Sequence, residues 1–132
     1  MLNSQPFINS TSLGLFTDLY ELTMAQAYFQ HDELSEATFS LFIRQNPANR
    51  GFMVSSGLND VLEYFEYPPF NENDLSKLHS TGIFANEFLE YLGGISKFTG
   101  SIRAIPEGRI FFANEPILEI TGPVVQAQLA ET

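Results

Sequence analysis

Four side chains that can donate or accept hydrogen bonds stand at the start of one predicted helix: Thr17, Asp18, Tyr20 and Glu21. Thr17 is the expected N-cap, because its hydroxyl can accept from the free backbone N–H groups of the first turn. Asp18 and Glu21 place negative charge at the positive end of the helix dipole. Asp18 could also orient Tyr20 or a nearby arginine by a hydrogen bond. Such groups at the start of an apolar helix favour a site over an ordinary surface.

The helix that carries these groups is predicted to be buried on two faces. One apolar stripe recurs at three- and four-residue steps, which is helical spacing: Leu15, Leu19, Leu22, Ala25 and Phe29. A second stripe runs beside it: Tyr20, Met24 and Ala27. Tyr20 is therefore expected in a buried helix, either as a core residue or as part of a site.

Arg44 is the second candidate, because its guanidinium can bind a phosphate. Residues 37–44 alternate between apolar and other side chains, which predicts a strand with one core face. Arg44 ends this predicted strand on the opposite face. A guanidinium there can fork onto a phosphate or diphosphate with two parallel hydrogen bonds. The alternative is a surface arginine paired with one of the 16 acidic side chains.

Other residue types that often carry chemistry do not form a recognisable set. His31 and His79 are each isolated, with no carboxylate or second histidine at metal-ligand spacing, so no metal site is predicted. The glycines form no phosphate-binding loop. Ser55-Ser56-Gly57 lacks the G-x-S-x-G frame of a nucleophile elbow. No catalytic residue is therefore assigned in this chain.

The middle of the chain is predicted to be helical. Ser55 or Ser56 is expected to cap a helix that the Tyr67-Pro68-Pro69 run stops. Two more short helices are expected within residues 70–93. The apolar positions of the first of the three have helical spacing: Leu58, Val61, Leu62 and Phe65.

The region beyond residue 100 is predicted to be mainly β structure. Pro106-Glu107-Gly108 is expected to form a turn, in which proline fixes φ and glycine takes a positive φ. A last helix is predicted at 124–132 and is expected to be incomplete. The whole pattern favours an α+β fold, a small antiparallel sheet or β meander with packed helices, and residues 1–132 are expected to form one domain. The strands are expected at 101–105, 109–113 and 117–121.

Composition excludes several classes of protein. The net charge is −10, so the surface repels the phosphates of nucleic acids and anionic membranes, and neither is expected as a partner. No apolar stretch approaches the ~20 residues that span a membrane, and the N-terminus lacks the pattern of a secretory signal. The chain has no cysteine. These features together predict a cytoplasmic protein.

Four segments in order carry a resemblance to a known family: TDLYELTMAQAY at 17–28, ATFSLFIRQNP at 37–47, FMVSSGLNDVLEYF at 52–65, and IRAIPEGRIFFANEPILEITGPVVQAQLAET at 102–132. The chain resembles the N-terminal domain of nicotinate phosphoribosyltransferases, which are type II phosphoribosyltransferases. The α/β barrel that follows this domain in the family, with its phosphorylatable histidine, is not found here. The chain alone is therefore expected to be inactive.

The resemblance implies what the whole enzyme does. It forms nicotinate mononucleotide and diphosphate from nicotinate and phosphoribosyl diphosphate, coupled to hydrolysis of ATP with Mg²⁺, in NAD salvage. It implies a homodimer in which Tyr20 stacks on the nicotinate ring in the neighbouring subunit's barrel and Arg44 meets the ligand's phosphates. Asp18 belongs to the same motif and is retained as a substrate-binding candidate.

Two alternatives remain open at this point. The chain could belong to a nicotinamide or quinolinate phosphoribosyltransferase, because substrate selection lies largely in the barrel. It could also be a non-enzymatic interaction or carrier domain, since residues 101–121 loosely resemble the hairpins of lipoyl and biotinyl carriers. Those carriers need a lysine at an exposed tip, and the tips here are Pro106-Glu107-Gly108 and Asn114-Glu115-Pro116.

Overall fold

The computed structural model describes residues 13–33 and 35–131. The N-terminal stretch, on which the absence of a secretory signal was predicted, lies outside the described residues, as do Leu34 and Thr132. The described elements follow the order 3₁₀ turn Leu13–Leu15, α1 Leu19–Gln30, β1 Glu36–Leu41, β2 Met53–Val54, α2 Leu58–Phe65, α3 Glu72–Ser80, α4 Asn86–Gly94, β3 Ser101–Ala104, β4 Ile110–Phe111, β5 Leu118–Pro123 and α5 Val124–Leu129.

Strand β5 is the centre of a three-stranded antiparallel sheet, with β1 on one side and β3 on the other. The register pairs Leu41 with Leu118, and Ser101 with Thr121. The predicted α+β class with a small antiparallel sheet is confirmed. Strand β1 ends at Leu41, however, so the prediction of a strand as far as Arg44 is wrong. The ladder stops there because the segment opposite β1, just before β5, contains Pro116. Proline has no N–H to donate to the ladder.

Residues 101–121 do not form a continuous meander, because β4 pairs with β2 instead of with its sequence neighbours. Ser55 explains this departure. Its N–H donates to the carbonyl of Arg109 at 2.9 Å, and its carbonyl accepts from the N–H of Gly108 at 2.9 Å. The turn at Pro106-Glu107-Gly108 is formed as predicted, and Gly108 has a φ of +76°. These bonds direct the chain after the turn towards residue 54.

Helix α2 is capped from a distant part of the chain. The predicted cap by Ser55 or Ser56 is wrong, since the N-cap residue is Gly57 with a φ of +93°. The Glu107 carboxylate accepts from the N–H groups of Gly57 at 2.8 Å and Leu58 at 2.7 Å. A carboxylate at this position satisfies free donors and complements the helix dipole. The side chain of Ser55 donates instead to the carbonyl of Pro106 at 2.7 Å.

The hydrophobic core lies between the helices and contains both aromatic and aliphatic side chains. Phe88 of α4 is fully buried and its ring lies 5.7 Å from that of Phe29 on α1. Leu22 and Ala25 bury one stripe of α1 against this cluster. None of the described helices is long and apolar enough to cross a membrane. Among the described residues, the core therefore contacts α1 mainly through the side that carries Leu22 and Ala25.

Candidate functional site

Helix α1 begins one residue later than predicted, with Asp18 as its N-cap in an extended backbone conformation. The expectation that Thr17 caps the helix is wrong, because the Thr17 hydroxyl donates to the Glu21 carboxylate. The same carboxylate accepts from the Asp18 N–H at 3.3 Å. Aspartate caps a helix as well as threonine does, and a glutamate three residues later completes a capping box. Glu21 therefore decides where the helix starts.

Glu21 is buried, with 1% of its surface exposed, although the sequence placed it only as a charge near the helix dipole. A buried carboxylate is costly unless it accepts hydrogen bonds, and Thr17 and Asp18 both donate to this one. The Asp-x-x-Glu spacing of a capping box is the sequence signal that could have revealed this arrangement.

Tyr20 lies on the first turn of α1 with 49% of its surface exposed. Its hydroxyl donates to the carboxylate of Glu131 at 2.9 Å. A second oxygen of that carboxylate accepts from the side-chain amide of Gln128 at 2.6 Å, and Gln128 is buried with 4% exposed. Glu131 therefore holds the phenol and Gln128 holds Glu131, while about half of the Tyr20 surface stays exposed. The prediction that Asp18 orients Tyr20 or Arg44 is wrong, because among the described residues Asp18 makes no hydrogen bond to either side chain.

The carboxylates around Tyr20 change its acidity. The hydrogen bond to Glu131 is the largest cause, followed by partial burial and the charges of Glu131 and Glu21, and together they raise the pKa of Tyr20 from 10.0 to about 12. A raised pKa means that the folded chain holds this proton more tightly than the unfolded chain. The stability from the hydrogen bond is thus fully present below pH 10 and is lost as the pH rises towards 12. Burial and then the charge of Glu21 also raise the pKa of Tyr64 on α2.

The second apolar stripe of α1 is exposed, so the prediction that both faces are buried is wrong. Helix α1 packs mainly on α5, and to a smaller extent on α4, through the side that carries Leu22 and Ala25. Leu19, assigned to the buried stripe, is exposed as well. Several exposed apolar side chains on and just before one helix suit an interaction surface. We call it the α1 face, and it comprises Phe16, Leu19, Tyr20 and Met24.

Arg44 lies beyond the end of β1 and is exposed. Within residues 13–33 and 35–131, its guanidinium has no hydrogen-bond or ion-pair partner, so the alternative of a surface arginine paired with an acid is not seen. The Ile43 carbonyl before it accepts from Asn114 at 2.7 Å, which anchors the backbone. Leu41 and Phe42 beside it are exposed apolar side chains.

The structure thus brings together two of the three predicted site residues, Asp18 and Tyr20, on one turn of helix. No contact of the described residues joins Arg44 to either of them. A surface depression of about 580 Å³ lies elsewhere, lined by Ile105, Gly108, Arg109, Ile110, Phe111, Glu115 and Pro116, and includes none of the three. In the described part of the chain no three His, Asp or Glu side chains are grouped so that they could hold a metal ion.

Sequence reasoning missed Glu131, the hydrogen-bond partner of Tyr20, and Gln128, which holds Glu131. They are 111 and 108 residues away along the chain (131 − 20 and 128 − 20), and only the packing of α1 on α5 brings them near. A glutamine within α5 and a glutamate just after it carry no local signal of such a pairing. Their role is visible only after the two helices are placed.

Comparisons with known proteins agree on one family. The family model of the nicotinate phosphoribosyltransferase (NAPRTase) N-terminal domain matches residues 15–132. A nicotinate phosphoribosyltransferase of Mycobacterium tuberculosis is 46% identical over 119 residues, which are 90% of this chain and 26% of the relative. One of Bacillus subtilis is 44% identical over 123 residues, covering 92% of this chain and 25% of the relative.

A solved structure has the same fold. The crystal structure of human nicotinic acid phosphoribosyltransferase superposes with a TM-score of 0.77 at 31% identity, covering 87% of this chain and 24% of the human chain. The chain therefore spans about a quarter of the length of the relatives that it matches.

Proposed function

Because this chain belongs to the family of nicotinate phosphoribosyltransferase N-terminal domains, we propose that it serves a reaction that joins nicotinate to the phosphoribosyl group of phosphoribosyl diphosphate. The lone pair of the pyridine nitrogen forms the bond to C1′ of the ribose. The C1′–O bond breaks, and its electron pair leaves on the diphosphate. The products are nicotinate mononucleotide and diphosphate, in NAD salvage. A cytoplasmic location and coupling to ATP hydrolysis belong to the same proposal.

One observation supports a direct role for this domain: Tyr20 presents a half-exposed ring while its hydroxyl is held in place. A pyridine ring is flat and needs a flat partner, and aromatic pairs contribute roughly 0.5–1.5 kcal/mol beyond area burial. A fixed ring lowers the entropy lost on binding, because its orientation is set before the ligand arrives. Tyr20 is therefore the stacking partner in this proposal.

The rest of the site is assigned to the neighbouring subunit of a homodimer. Tyr20 lies on the α1 face, whose apolar side chains are uncovered and suit a subunit contact. Arg44 has no acidic partner among the described residues, so its guanidinium is available to fork onto the phosphates of the second substrate. Asp18 stands beside Tyr20 and remains a substrate-binding candidate.

Substitution of Tyr20 tests the stacking proposal. In a full-length protein that carries this domain, Tyr20→Ala is expected to weaken nicotinate binding by roughly tenfold, since both the stacking and the apolar contact are lost. Tyr20→Phe is expected to change nicotinate affinity by less than about threefold, because the ring remains. Calorimetric titration with nicotinate measures both. Equal losses in the two variants would show that the hydroxyl, and not the ring, binds the substrate.

Arg44→Lys tests the phosphate contact. Lysine keeps the positive charge but replaces the planar fork by a point charge. Affinity for phosphoribosyl diphosphate is expected to fall by roughly tenfold, the worth of one charge-assisted hydrogen bond. Nicotinate affinity is expected to stay unchanged, and Arg50→Lys in the following loop serves as the matched control. An unchanged affinity for phosphoribosyl diphosphate would identify Arg44 as a surface residue.

A further inference from the structure

Tyr20 donates a hydrogen bond to one carboxylate and is followed in the sequence by a second. These two negative charges affect whether its ring binds a neutral pyridine or a charged pyridinium more tightly. The phenol donates to Glu131 at 2.9 Å, and Glu21 follows Tyr20 in the chain with its carboxylate buried. The charged side chains that raise the pKa of Tyr20 are Glu131 and Glu21, and both are negative. The ring therefore lies in a negative local field.

The charge of the ligand ring changes during the proposed reaction. The pyridine nitrogen of nicotinate is neutral before attack and becomes a positively charged pyridinium nitrogen in the mononucleotide. An aromatic face attracts a cation through its quadrupole. A phenol that donates its proton to a carboxylate has a more negative ring than a free phenol, so its attraction for the pyridinium is stronger.

We propose that Glu131 is a positioning residue for Tyr20, and that it makes the Tyr20 ring favour the pyridinium form of the ligand over nicotinate, whose ring nitrogen is uncharged. The inference rests on the proposed function, which it deepens. Gln128 contributes by fixing Glu131: its buried amide donates to the carboxylate at 2.6 Å, so the acceptor is ordered before a ligand binds. Interactions that grow as charge develops in the transition state lower the barrier, whereas those equal for the substrate and the transition state do not.

The test compares two ligands in the full-length protein. Glu131→Gln keeps an acceptor for the phenol but removes the charge. The substitution is expected to lower the affinity for nicotinate mononucleotide by roughly two- to fivefold, the range of an exposed cation–π contact. The affinity for nicotinate is expected to fall by less than about twofold. The same substitution in a Tyr20→Phe background is expected to have no further effect on the mononucleotide, because the hydrogen bond is already absent. Glu87→Gln, at an exposed position in the first turn of α4, is the matched control.

A second measurement uses the 132-residue chain and needs no ligand. Nuclear magnetic resonance of tyrosine Cζ atoms follows each phenol through its titration. In Glu131→Gln the Tyr20 signal is expected to titrate well below pH 12, since the carboxylate is the main cause of its high pKa. An unchanged Tyr20 titration would contradict the hydrogen bond itself.

The outcomes separate the inference from the proposed function. Suppose that Tyr20→Ala lowers the affinity for nicotinate, and that Glu131→Gln lowers the affinities for both ligands equally or changes neither. The inference is then wrong and the proposed function stands. If Tyr20→Ala leaves nicotinate binding unchanged, the stacking proposal is wrong and the inference falls with it. A selective loss of mononucleotide affinity in Glu131→Gln, absent in the Tyr20→Phe background, supports both.

Discussion

Two inactive full-length variants are expected to regain activity when they are mixed. One carries Tyr20→Ala and Arg44→Ala, and the other lacks the phosphorylatable histidine of the barrel. If each site joins the N-terminal domain of one subunit to the barrel of the other, a mixed dimer has one site with both halves intact. Random exchange of subunits in an isologous dimer should then restore about a quarter of the wild-type activity.

The measurement is formation of nicotinate mononucleotide after the subunits have exchanged, with each variant alone as the control. Native mass spectrometry of differently tagged subunits confirms that mixed dimers form. The physical basis is the position of Tyr20 and Arg44 on exposed parts of this domain, without a contact between them. If mixed dimers form and remain inactive, each site is built within one chain, and the α1 face has another function.

Gly100→Ala is expected to destabilise the domain by about 3 kcal/mol or more, at the upper end of the cost of overpacking a core. A Cβ at this position would overlap the carbonyl oxygen of Thr121 and the ring of Phe98. Thr121 belongs to β5, which pairs on both sides, so its backbone cannot move without disturbing the β1 or the β3 ladder. Such a loss is a large part of the ~5–15 kcal/mol that stabilises a typical domain.

Gly94→Ala is the matched control, because a Cβ there meets no atom within 4 Å in the described structure. Gly94 ends helix α4, where alanine is expected to stabilise by up to about 1 kcal/mol. Urea unfolding followed by circular dichroism gives both free energies of unfolding. Equal stabilities for the two variants would mean that the approach of residue 100 to β5 is not as close as the structure has it.

The local elements of this fold were predictable because their signals are local. The apolar spacing from Leu58 to Phe65 predicted helix α2, although its predicted serine cap is wrong, and the Pro106-Glu107-Gly108 turn has the positive φ that its glycine predicts. The start of α1 was missed by one residue, since Thr17 and Asp18 cap equally well and Glu21 selects between them.

The long-range features were not predictable from periodicity. The exposure of Tyr20 depends on which side of α1 packs on α5, and two apolar stripes leave that choice open. The pairing of β4 with β2 depends on hydrogen bonds between Ser55 and the segment Pro106 to Arg109, about fifty residues away. The candidate Tyr20 was found through its motif, whereas Glu131 was not, because its contact with Tyr20 exists only in the folded chain.

The central place of β5 has a consequence for the synthesis of this protein on the ribosome. Strand β1 ends at Leu41, and its one neighbour among the described strands begins at Leu118, so 76 residues (118 − 41 − 1) must be added before the two can pair. At about 5–20 residues per second this takes roughly 4–15 s. During that interval β1 and the apolar side of α1 have been synthesised but β5 and α5, which cover them in the fold, have not. We therefore expect the nascent domain to depend on chaperones that shield apolar segments until β5 and α5 emerge.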